Sequence, residues 1–406
     1  MEGPLKGIRV IALSQFIAGP FGSMVLGDLG AEVIKIEPPE PIANRIMPGP
    51  GHKGESFYHL AFNRSKKSIT LNLRTVSGQE AFRRLVSISD VVWSNLRPES
   101  VKNIGADYET VAAVNDRIIG CYISGYGMSG PYRDRPAFDI NGLALSGLMS
   151  ITGFPGGPPL RPGIPMGDFV TGMLGALGVS SALVQRQRTG KGQLVDIALL
   201  ESVISTLAYE FTYYFCGNII PRALGNAHFS IHPYNAYNTQ DGVWLAIGPS
   251  WPRLARVLDL EWMIDDPRFA TTEARLQNRE EFERIVQARF MEAPAADWLE
   301  LMYAEDIAAT PVNTIDKVPS DPQVQHRNMI LEMEHPLGGT FRMVGNPVKM
   351  PGSIDDTRYT PPPTLGQHNE EILGGLLGFS REEIQHMLDE NQQYGSELKN
   401  HLHKQF

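Results

Sequence analysis

An isolated carboxylate stands in front of a long uncharged stretch in the middle of the chain. In the segment GIPMGDFVTGMLGALGVSSALV, Asp168 is followed by residues 169–184, none of which carries a charged side chain. Asp is among the best helix N-cap residues, so one interpretation is a helix cap. The other is a nucleophile, because a carboxylate kept ionised at a helix N-terminus in a tight cleft can attack an activated acyl group. Gly172, Gly175 and Gly178 recur every three residues, which lets backbone or a ligand approach that helix face.

Basic side chains recur near the ends of several predicted strands in the first third of the chain. They are Arg64, Lys66, Lys67, Arg97, Lys102, Arg133 and Arg135. Because ligands of parallel α/β folds bind beyond the carboxyl ends of the strands, we expect these cations to meet a phosphate-rich ligand. The alternative is an ordinary solvated surface. The charge balance agrees with an anionic ligand there, since residues 1–140 carry 16 Lys and Arg against 14 Asp and Glu, and the remainder carries 20 against 31.

The elements that must position these residues alternate between strands and helices. Apolar runs predict strands over 7–13, 32–37, 68–73, 90–95 and 117–125, with helices starting near Pro20 and over 77–89 and 107–115. This alternation predicts an α/β fold with a largely parallel sheet. From about residue 223 the predicted helices are shorter and more charged. From about residue 331 the sequence is rich in Pro and Gly. We therefore predict a large domain built from residues 1–222 and 331–406, with a smaller α+β domain inserted at 223–330.

Composition and motifs exclude several classes of protein. The chain has 406 residues and a net charge of −9, which argues against a nucleic-acid partner. The N-terminus has no apolar signal core and no stretch reaches eighteen consecutive apolar residues, so we expect a cytoplasmic protein without a membrane partner. Two cysteines without a CxxC pair and ten histidines without HExxH indicate no metal site. The string GYGMSG (125–130) fits GxGxxG, but a loop follows it instead of a helix, so we expect no dinucleotide cofactor.

Several further motifs resemble those of the class III CoA-transferases, the family of formyl-CoA transferase and carnitine CoA-transferase. The similar segments are LKGIRVIALSQFIAGPFGSMVLGDLGAEVIKIEPP, FNRSKKSITLNL, SGYGMSGPY, LSGLMSITG, GDFVTGMLGAL and RTGKGQLVDIALLES, which together span nearly the whole chain. The resemblance implies a Rossmann-like large domain in an interlocked homodimer, with acyl-CoA and a carboxylic acid as substrates and no tightly bound cofactor. It maps the catalytic aspartate of the family onto Asp168.

The resemblance also implies a mechanism and a set of site residues. Asp168 would attack the donor thioester to give a mixed anhydride, and CoA would then form an aspartyl-CoA thioester. Gln15, or backbone N–H groups at the helix start, would stabilise the oxyanion. The expected CoA contacts are Lys35, Asn63, Arg64, Lys66, Asn95, Arg97, Lys102, Arg135 and Asp139. Succinyl-CoA is the expected donor.

Two alternatives stay open within this fold. One is an α-methylacyl-CoA racemase, which needs a second acid/base where the racemases read G-H-D-I-N. Here the stretch reads Ala137-Phe138-Asp139-Ile140-Asn141, and phenylalanine cannot transfer a proton. The other is the CoA-binding subunit of a heteromer with a paralogous chain, against which the intact Asp168 counts. The segment GPSWPRL (248–254) lacks the glycine run of formyl-CoA transferase, which makes formyl or oxalate exchange the weaker expectation.

Overall fold

The computed structural model describes residues 3–40, 43–357 and 359–390, and within them the chain forms two compact units. The larger unit contains residues up to 148, residues 161–216 and residues from 322 onward, and the smaller unit contains residues 149–160 and 217–321. The smaller unit thus draws on two stretches of chain, whereas the sequence suggested one insertion at 223–330. The extra stretch is the Gly- and Pro-rich loop ahead of the helix that carries Asp168.

The first half of the chain alternates strands and helices. Its elements are β1 (Arg9–Leu13), α1 (Ala18–Asp28), β2 (Glu32–Glu37), α2 (Ala43–Ile46), β3 (Gly51–His52), β4 (Glu55–Ser56), α3 (Phe57–Phe62), β5 (Lys66–Thr70), α4 (Val76–Ser87), β6 (Val91–Ser94), α5 (Pro98–Asn103), α6 (Tyr108–Val114), β7 (Ile119–Ser124), α7 (Asp139–Leu145), α8 (Leu148–Ile151), α9 (Met166–Thr189), β8 (Leu194–Ala198), α10 (Leu199–Thr206) and α11 (Ala208–Gly217).

The second half begins with the smaller unit and returns to the larger one. Its elements are β9 (Asn235–Asn238), β10 (Trp244–Ile247), α12 (Arg253–Val257), α13 (Trp262–Asp265), α14 (Thr272–Gln277), α15 (Arg279–Phe290), α16 (Ala295–Ala304), β11 (Ala309–Pro311), a 3₁₀ turn (Val318–Ser320), α17 (Pro322–His326), β12 (Ile330–Glu334), β13 (Thr340–Val344) and a π-helix (Glu370–Leu376). A helical segment also covers residues 381–390.

Six parallel strands form the sheet of the larger unit in the order β5-β2-β1-β6-β7-β8. The predicted α/β architecture with a largely parallel sheet is confirmed. Apolar side chains cover both faces: Ile11, Ile34 and Val92 belong to the core on one side, and Val10 and Trp93 belong to the core on the other. From β1 the chain adds β2 and β5 on one side, and then β6, β7 and β8 on the other side. Doubly wound folds open a crevice for ligands at such a switch point, here between β1 and β6.

Helix α9 packs unusually close to α1 and the sheet. A Cβ atom on Gly172 would lie 2.7 Å from the Ala18 carbonyl oxygen, and one on Gly175 would lie 2.7 Å from the Trp93 ring. The glycines that recur along α9 therefore allow close packing of other parts of the protein, and no ligand fits against them. Among the described residues, α9 is the one helix long and apolar enough to cross a bilayer by length and composition, and its glycine face is packed inside this unit.

The smaller unit has a core of its own. Strands β9, β10 and β11 form an antiparallel sheet in the order β11-β10-β9. Tyr237 and Leu245 from the sheet pack with Phe282, Phe290 and Trp298 from α15 and α16, and all five side chains are almost fully buried.

Candidate active site

A cleft of about 150 Å³ opens at the carboxyl ends of β1, β6 and β7, next to the switch point between β1 and β6. Of the eleven residues predicted for the site, six line it: Gln15, Asn95, Arg97, Arg135, Asp139 and Asp168. They come from sequence positions up to 153 residues apart, and the parallel sheet brings them to one edge. Phe16, Arg133 and Phe138 line the same cleft.

Asp168 is inside α9 and does not cap it. The N-cap residue is Pro165, no side chain caps the helix, and Asp168 is its third residue. The carboxyl group is half-buried and faces the cleft. The helix-cap interpretation of Asp168 is therefore wrong, and its carboxyl group is available for chemistry.

A second carboxylate takes the place of the missing cap. Asp139, the first residue of α7, accepts a hydrogen bond from the Asp168 backbone N–H at 3.1 Å, and it also accepts one from the Gly167 N–H. Free N–H groups in the first turn of a helix attract negative charge, which explains why a carboxylate sits there. These two N–H groups are consequently occupied, so the expectation that backbone groups at this helix start hold an oxyanion is wrong for them.

The pKa values of both carboxyl groups are raised, and burial is the main cause in each. Burial, and then the negative charge of Asp139, raise the pKa of Asp168 to about 7. Burial also raises the pKa of Asp139, against the hydrogen bonds from the Asp168 and Gly167 N–H groups and the positive charge of Arg161. The sequence analysis expected the helix start to keep Asp168 ionised, whereas burial, which disfavours the charged form, shifts its pKa upward.

Gln15 reaches the cleft on a tightly held loop after β1. Asn95, which follows β6, accepts the Gln15 N–H at 2.9 Å and donates its amide to the Gln15 carbonyl oxygen at 2.7 Å. Both polar ends of the Asn95 side chain are therefore engaged, and Asn95 positions the loop instead of offering a free amide to CoA. Among the described residues, the Gln15 side-chain amide forms no hydrogen bond, which leaves it free to meet a ligand oxygen.

Guanidinium groups also line the cleft. Arg97 is exposed and, within the described part of the chain, forms no hydrogen bond or ion pair through its side chain. Arg135 is also exposed, and its guanidinium lies 3.6 Å from the ring centroid of Tyr132. Lys102 is exposed too, but it lies in the last turn of α5 and does not line the cleft.

Four of the predicted CoA contacts are buried elsewhere, and for them the prediction is wrong. Arg64 forms an ion pair with Asp28 at 2.6 Å and is 2% exposed. The ammonium of Lys66 donates to the carbonyl oxygens of Pro20 and Phe62, both at 2.8 Å. The amide of Asn63, which is fully buried, donates to the carbonyl oxygen of His59 and accepts from Lys66. Lys35 is fully buried in β2, 3.1 Å from Glu37.

The physical reason for this error is the position of the strand. The sequence suggested a strand at 68–73, but β5 begins at Lys66 and pairs with Val33 near the start of β2. Residues 63–66 therefore lie at the amino ends of the strands, the opposite edge of a parallel sheet from the cleft. Their charges are satisfied inside the protein, as buried charges generally must be.

Sequence reasoning missed Phe16 and Arg161. Phe16 lines the cleft with a positive φ of 59°, which no sequence pattern around a phenylalanine would indicate. Arg161 acts on Asp139 through its charge, and it stands in the loop just before α9. The sequence signal that could have identified Arg161 was its position seven residues before Asp168.

Comparison with known proteins assigns the chain to a family. The model of CoA-transferase family III matches residues 5–369. The chain belongs to CoA-transferase family III. It is 38% identical to the succinyl-CoA:glutarate CoA-transferase of Mus musculus over 95% of this chain and 89% of that one. It is 34% identical to a protein of Chloroflexus aurantiacus named the beta subunit of succinyl-CoA–L-malate CoA-transferase, over 94% of this chain and 96% of that one.

A solved structure supports the fold of this CoA-transferase. The structure of a CAIB/BAIF family protein from Brucella suis superposes with a TM-score of 0.83 and 33% identity, covering 93% of this chain and all of that one. The chain is therefore a CoA-transferase that uses CoA thioesters as substrates. The described residues contain no group of three or more His, Cys, Asp or Glu that could hold a metal ion.

Proposed function

We propose that this CoA-transferase moves CoA from succinyl-CoA to a second dicarboxylic acid, such as glutarate, through covalent intermediates on Asp168. The observation that carries the proposal is the cleft itself: a half-buried carboxyl group shares a small cavity with exposed guanidinium groups. A buried carboxylate is a poorly solvated and hence reactive nucleophile. The name of the mouse relative supports the choice of dicarboxylates.

The proposed steps exchange one acyl bond for another. Ionised Asp168 attacks the thioester carbonyl of the donor, and the C–S bond breaks to give a mixed anhydride and CoA thiolate. The thiolate attacks the Asp168 carbonyl carbon, which releases succinate and leaves an aspartyl-CoA thioester. The acceptor carboxylate then attacks this thioester, expels the thiolate and forms a second anhydride. Attack of the thiolate on the acceptor acyl carbon yields the new acyl-CoA and restores the Asp168 carboxylate.

The residues around Asp168 have distinct roles in this scheme. The free side-chain amide of Gln15 donates to the oxyanion of the tetrahedral intermediates, since the N–H groups of Gly167 and Asp168 are held by Asp139. Arg97 and Arg135 bind the anionic groups of the substrates, the CoA phosphates in the first place. Asp139 fixes the first turn of α9 and raises the pKa of the nucleophile.

We also propose that the active form is an interlocked homodimer. Helix α9 presents Met173, Leu177 and Val184 to solvent, with exposed fractions of 49–62%. Such a row of large apolar side chains on one helix is typical of a surface that a partner covers. Light scattering after gel filtration should give twice the chain mass, and a Leu177→Glu variant should weaken the dimer. A monomeric wild type, or activity that requires a paralogous chain as the name of the Chloroflexus relative suggests, would contradict this assembly.

A substrate panel tests the proposed function. The enzyme is incubated with succinyl-CoA and glutarate, with butyrate as a control that lacks the second carboxylate, and new acyl-CoA is measured by mass spectrometry. We expect exchange with the dicarboxylate, and none in Asp168→Asn, which keeps the side-chain shape and loses the ionised oxygen. Full exchange in Asp168→Asn would refute the nucleophile. Exchange of the α-proton of a branched acyl-CoA with solvent deuterium, without acyl exchange, would favour a racemase.

A further inference from the structure

The loop after β1 holds a bulky side chain in a conformation that such residues rarely adopt. Phe16 has a φ of 59°, in the left-handed region. Its N–H donates to the Asn44 side-chain oxygen at 2.5 Å, and its carbonyl oxygen accepts from the Asn44 amide at 2.6 Å. Asn95 bonds the main chain of Gln15 in the same two-sided way. Four side-chain hydrogen bonds thus impose this geometry on two consecutive residues.

The asparagine that holds Phe16 is itself anchored by buried charges. Asn44 is fully buried in the short helix α2. Its neighbour Arg45 forms two hydrogen bonds with Glu37, at 2.9 and 2.8 Å, and further ones with Glu55. Lys35 pairs with the same Glu37 at 3.1 Å. This ion network, which includes a lysine predicted to bind CoA, therefore fixes the helix that constrains Phe16.

The constraint places an aromatic wall beside the nucleophile. The Phe16 ring meets the Phe138 ring edge to face, with centroids 5.8 Å apart and planes at 87°. Both residues line the cleft that contains Asp168. Phe138 is 59% exposed and immediately precedes Asp139, so its ring lies on the solvent side of the cleft. Strained backbone conformations cluster at functional sites, and here the surrounding hydrogen bonds hold the strained residue in the cleft.

We infer that the Phe16–Phe138 pair shields acylated Asp168 from water and thereby makes the enzyme a transferase instead of a thioester hydrolase. This inference rests on the proposed covalent intermediates. Water that attacked the Asp168 carbonyl carbon of the aspartyl-CoA thioester would break the C–S bond, release CoA thiol and regenerate the carboxylate. The net reaction of such a cycle is hydrolysis, in which the donor acyl-CoA and water give the free acid and CoA. The arginines of the cleft attract an acceptor carboxylate. Water carries no charge for them to attract, and the two aromatic rings exclude it from the acylated Asp168.

The ratio of hydrolysis to transfer tests the shield. Phe16→Gly removes one ring and keeps a backbone that tolerates a positive φ, and Phe138→Ala removes the other ring at an exposed position. Phe57→Ala is the matched control, because Phe57 is also exposed and lies outside the cleft. Thiol release from succinyl-CoA without acceptor is measured beside transfer to glutarate. We expect the ratio to rise about tenfold or more in both cleft variants and to stay unchanged in the control.

The outcomes separate this inference from the function on which it depends. Folded cleft variants, verified by circular dichroism, that lose transfer and hydrolysis in equal proportion would overturn the shield while leaving the transferase intact. If Phe16→Gly does not fold, Phe138→Ala alone decides, because its exposed ring contributes little to the core. A wild type that shows no acyl exchange at all would instead overturn the proposed function. Hydrolysis that persists in a Phe16→Gly/Asp168→Asn double variant would show water attacking the donor directly and would also overturn the inference.

Discussion

The raised pKa of Asp168 predicts that catalysis fails on the acid side of neutrality. Burial and the charge of Asp139 bring this pKa to about 7, from an ordinary value of 3.8. Only the ionised carboxylate is a nucleophile, so activity is lost as the pH falls through the pKa. With a pKa of about 7, roughly half of Asp168 is ionised at pH 7 and roughly a tenth at pH 6. An unperturbed carboxyl group would be almost fully ionised at both.

The assay is the pH dependence of kcat/KM for succinyl-CoA, which reports on groups of the free enzyme. We expect a plateau above pH 8 and a roughly tenfold loss per pH unit well below 7. Asp139→Asn keeps an oxygen that accepts the Asp168 N–H but removes the like charge, so it should move the acid limb to lower pH. Because burial is the larger cause, the limb should remain above the ordinary range of aspartate.

A flat wild-type profile between pH 5.5 and 8, with the enzyme shown to be folded throughout, would refute this reasoning. An acid limb that is identical in wild type and Asp139→Asn would refute the part assigned to Asp139. The free energy of unfolding should be measured across the same range, so that loss of structure is not mistaken for protonation.

Two further predictions separate binding residues from structural ones. Arg97→Ala should raise the KM for acyl-CoA several-fold and change kcat less, because a charge-assisted contact with phosphate contributes roughly 1.5–3 kcal/mol. Lys102, in the helix that Arg97 precedes, lies outside the cleft, so Lys102→Ala should leave both constants unchanged in the same steady-state assay. Equal effects of the two substitutions would indicate that CoA binds elsewhere. Arg64→Ala should instead lower the free energy of unfolding by about 3–5 kcal/mol in urea titrations, since it strands a buried Asp28. A stable Arg64→Ala variant with a raised KM for acyl-CoA would contradict the structural role and indicate that Arg64 binds CoA.

The sequence was sufficient to predict the sheet and to select Asp168 as the candidate nucleophile. Strands of apolar residues separated by helices predicted a parallel sheet, because parallel strands need crossover connections and leave this periodic signature. Asp168 stood out because no other charge lies within the sixteen residues that follow it. Arg97, Arg133 and Arg135 follow strands, and the rule that ligands bind at the carboxyl ends predicted their shared position at one edge of the sheet.

The errors have a common physical origin. Arg64 and Lys66 were selected by their charge and their position near a predicted strand, and Lys35 by the family resemblance. None of these signals shows whether a basic side chain has a partner in the protein interior. The partners are distant in sequence: Asp28 for Arg64, and main-chain oxygens of α1 and α3 for Lys66. Whether Asp168 capped its helix depended on the helix starting two residues earlier, at Met166, and such boundaries are poorly encoded locally.

The conformation of Phe16 is a tertiary effect of the same kind. Asn44 imposes it from 28 residues away, through hydrogen bonds to the main chain of Phe16. Nothing in the residues next to Phe16 favours a positive φ, so the loop geometry could be found only from the folded chain.

Direct detection of a covalent mark on Asp168 tests the central claim. Enzyme mixed with succinyl-CoA is quenched with hydroxylamine, which converts an aspartyl anhydride or thioester to a hydroxamate, and is then digested with trypsin. Arg135 and Arg161 both precede proline, so the expected peptide spans residues 134–186 and contains Asp139 as well as Asp168. Fragmentation should locate the hydroxamate on Asp168, only when acyl-CoA is present and not with free CoA. An unmarked peptide from a sample with confirmed exchange activity, or a mark on Asp139, would contradict the mechanism.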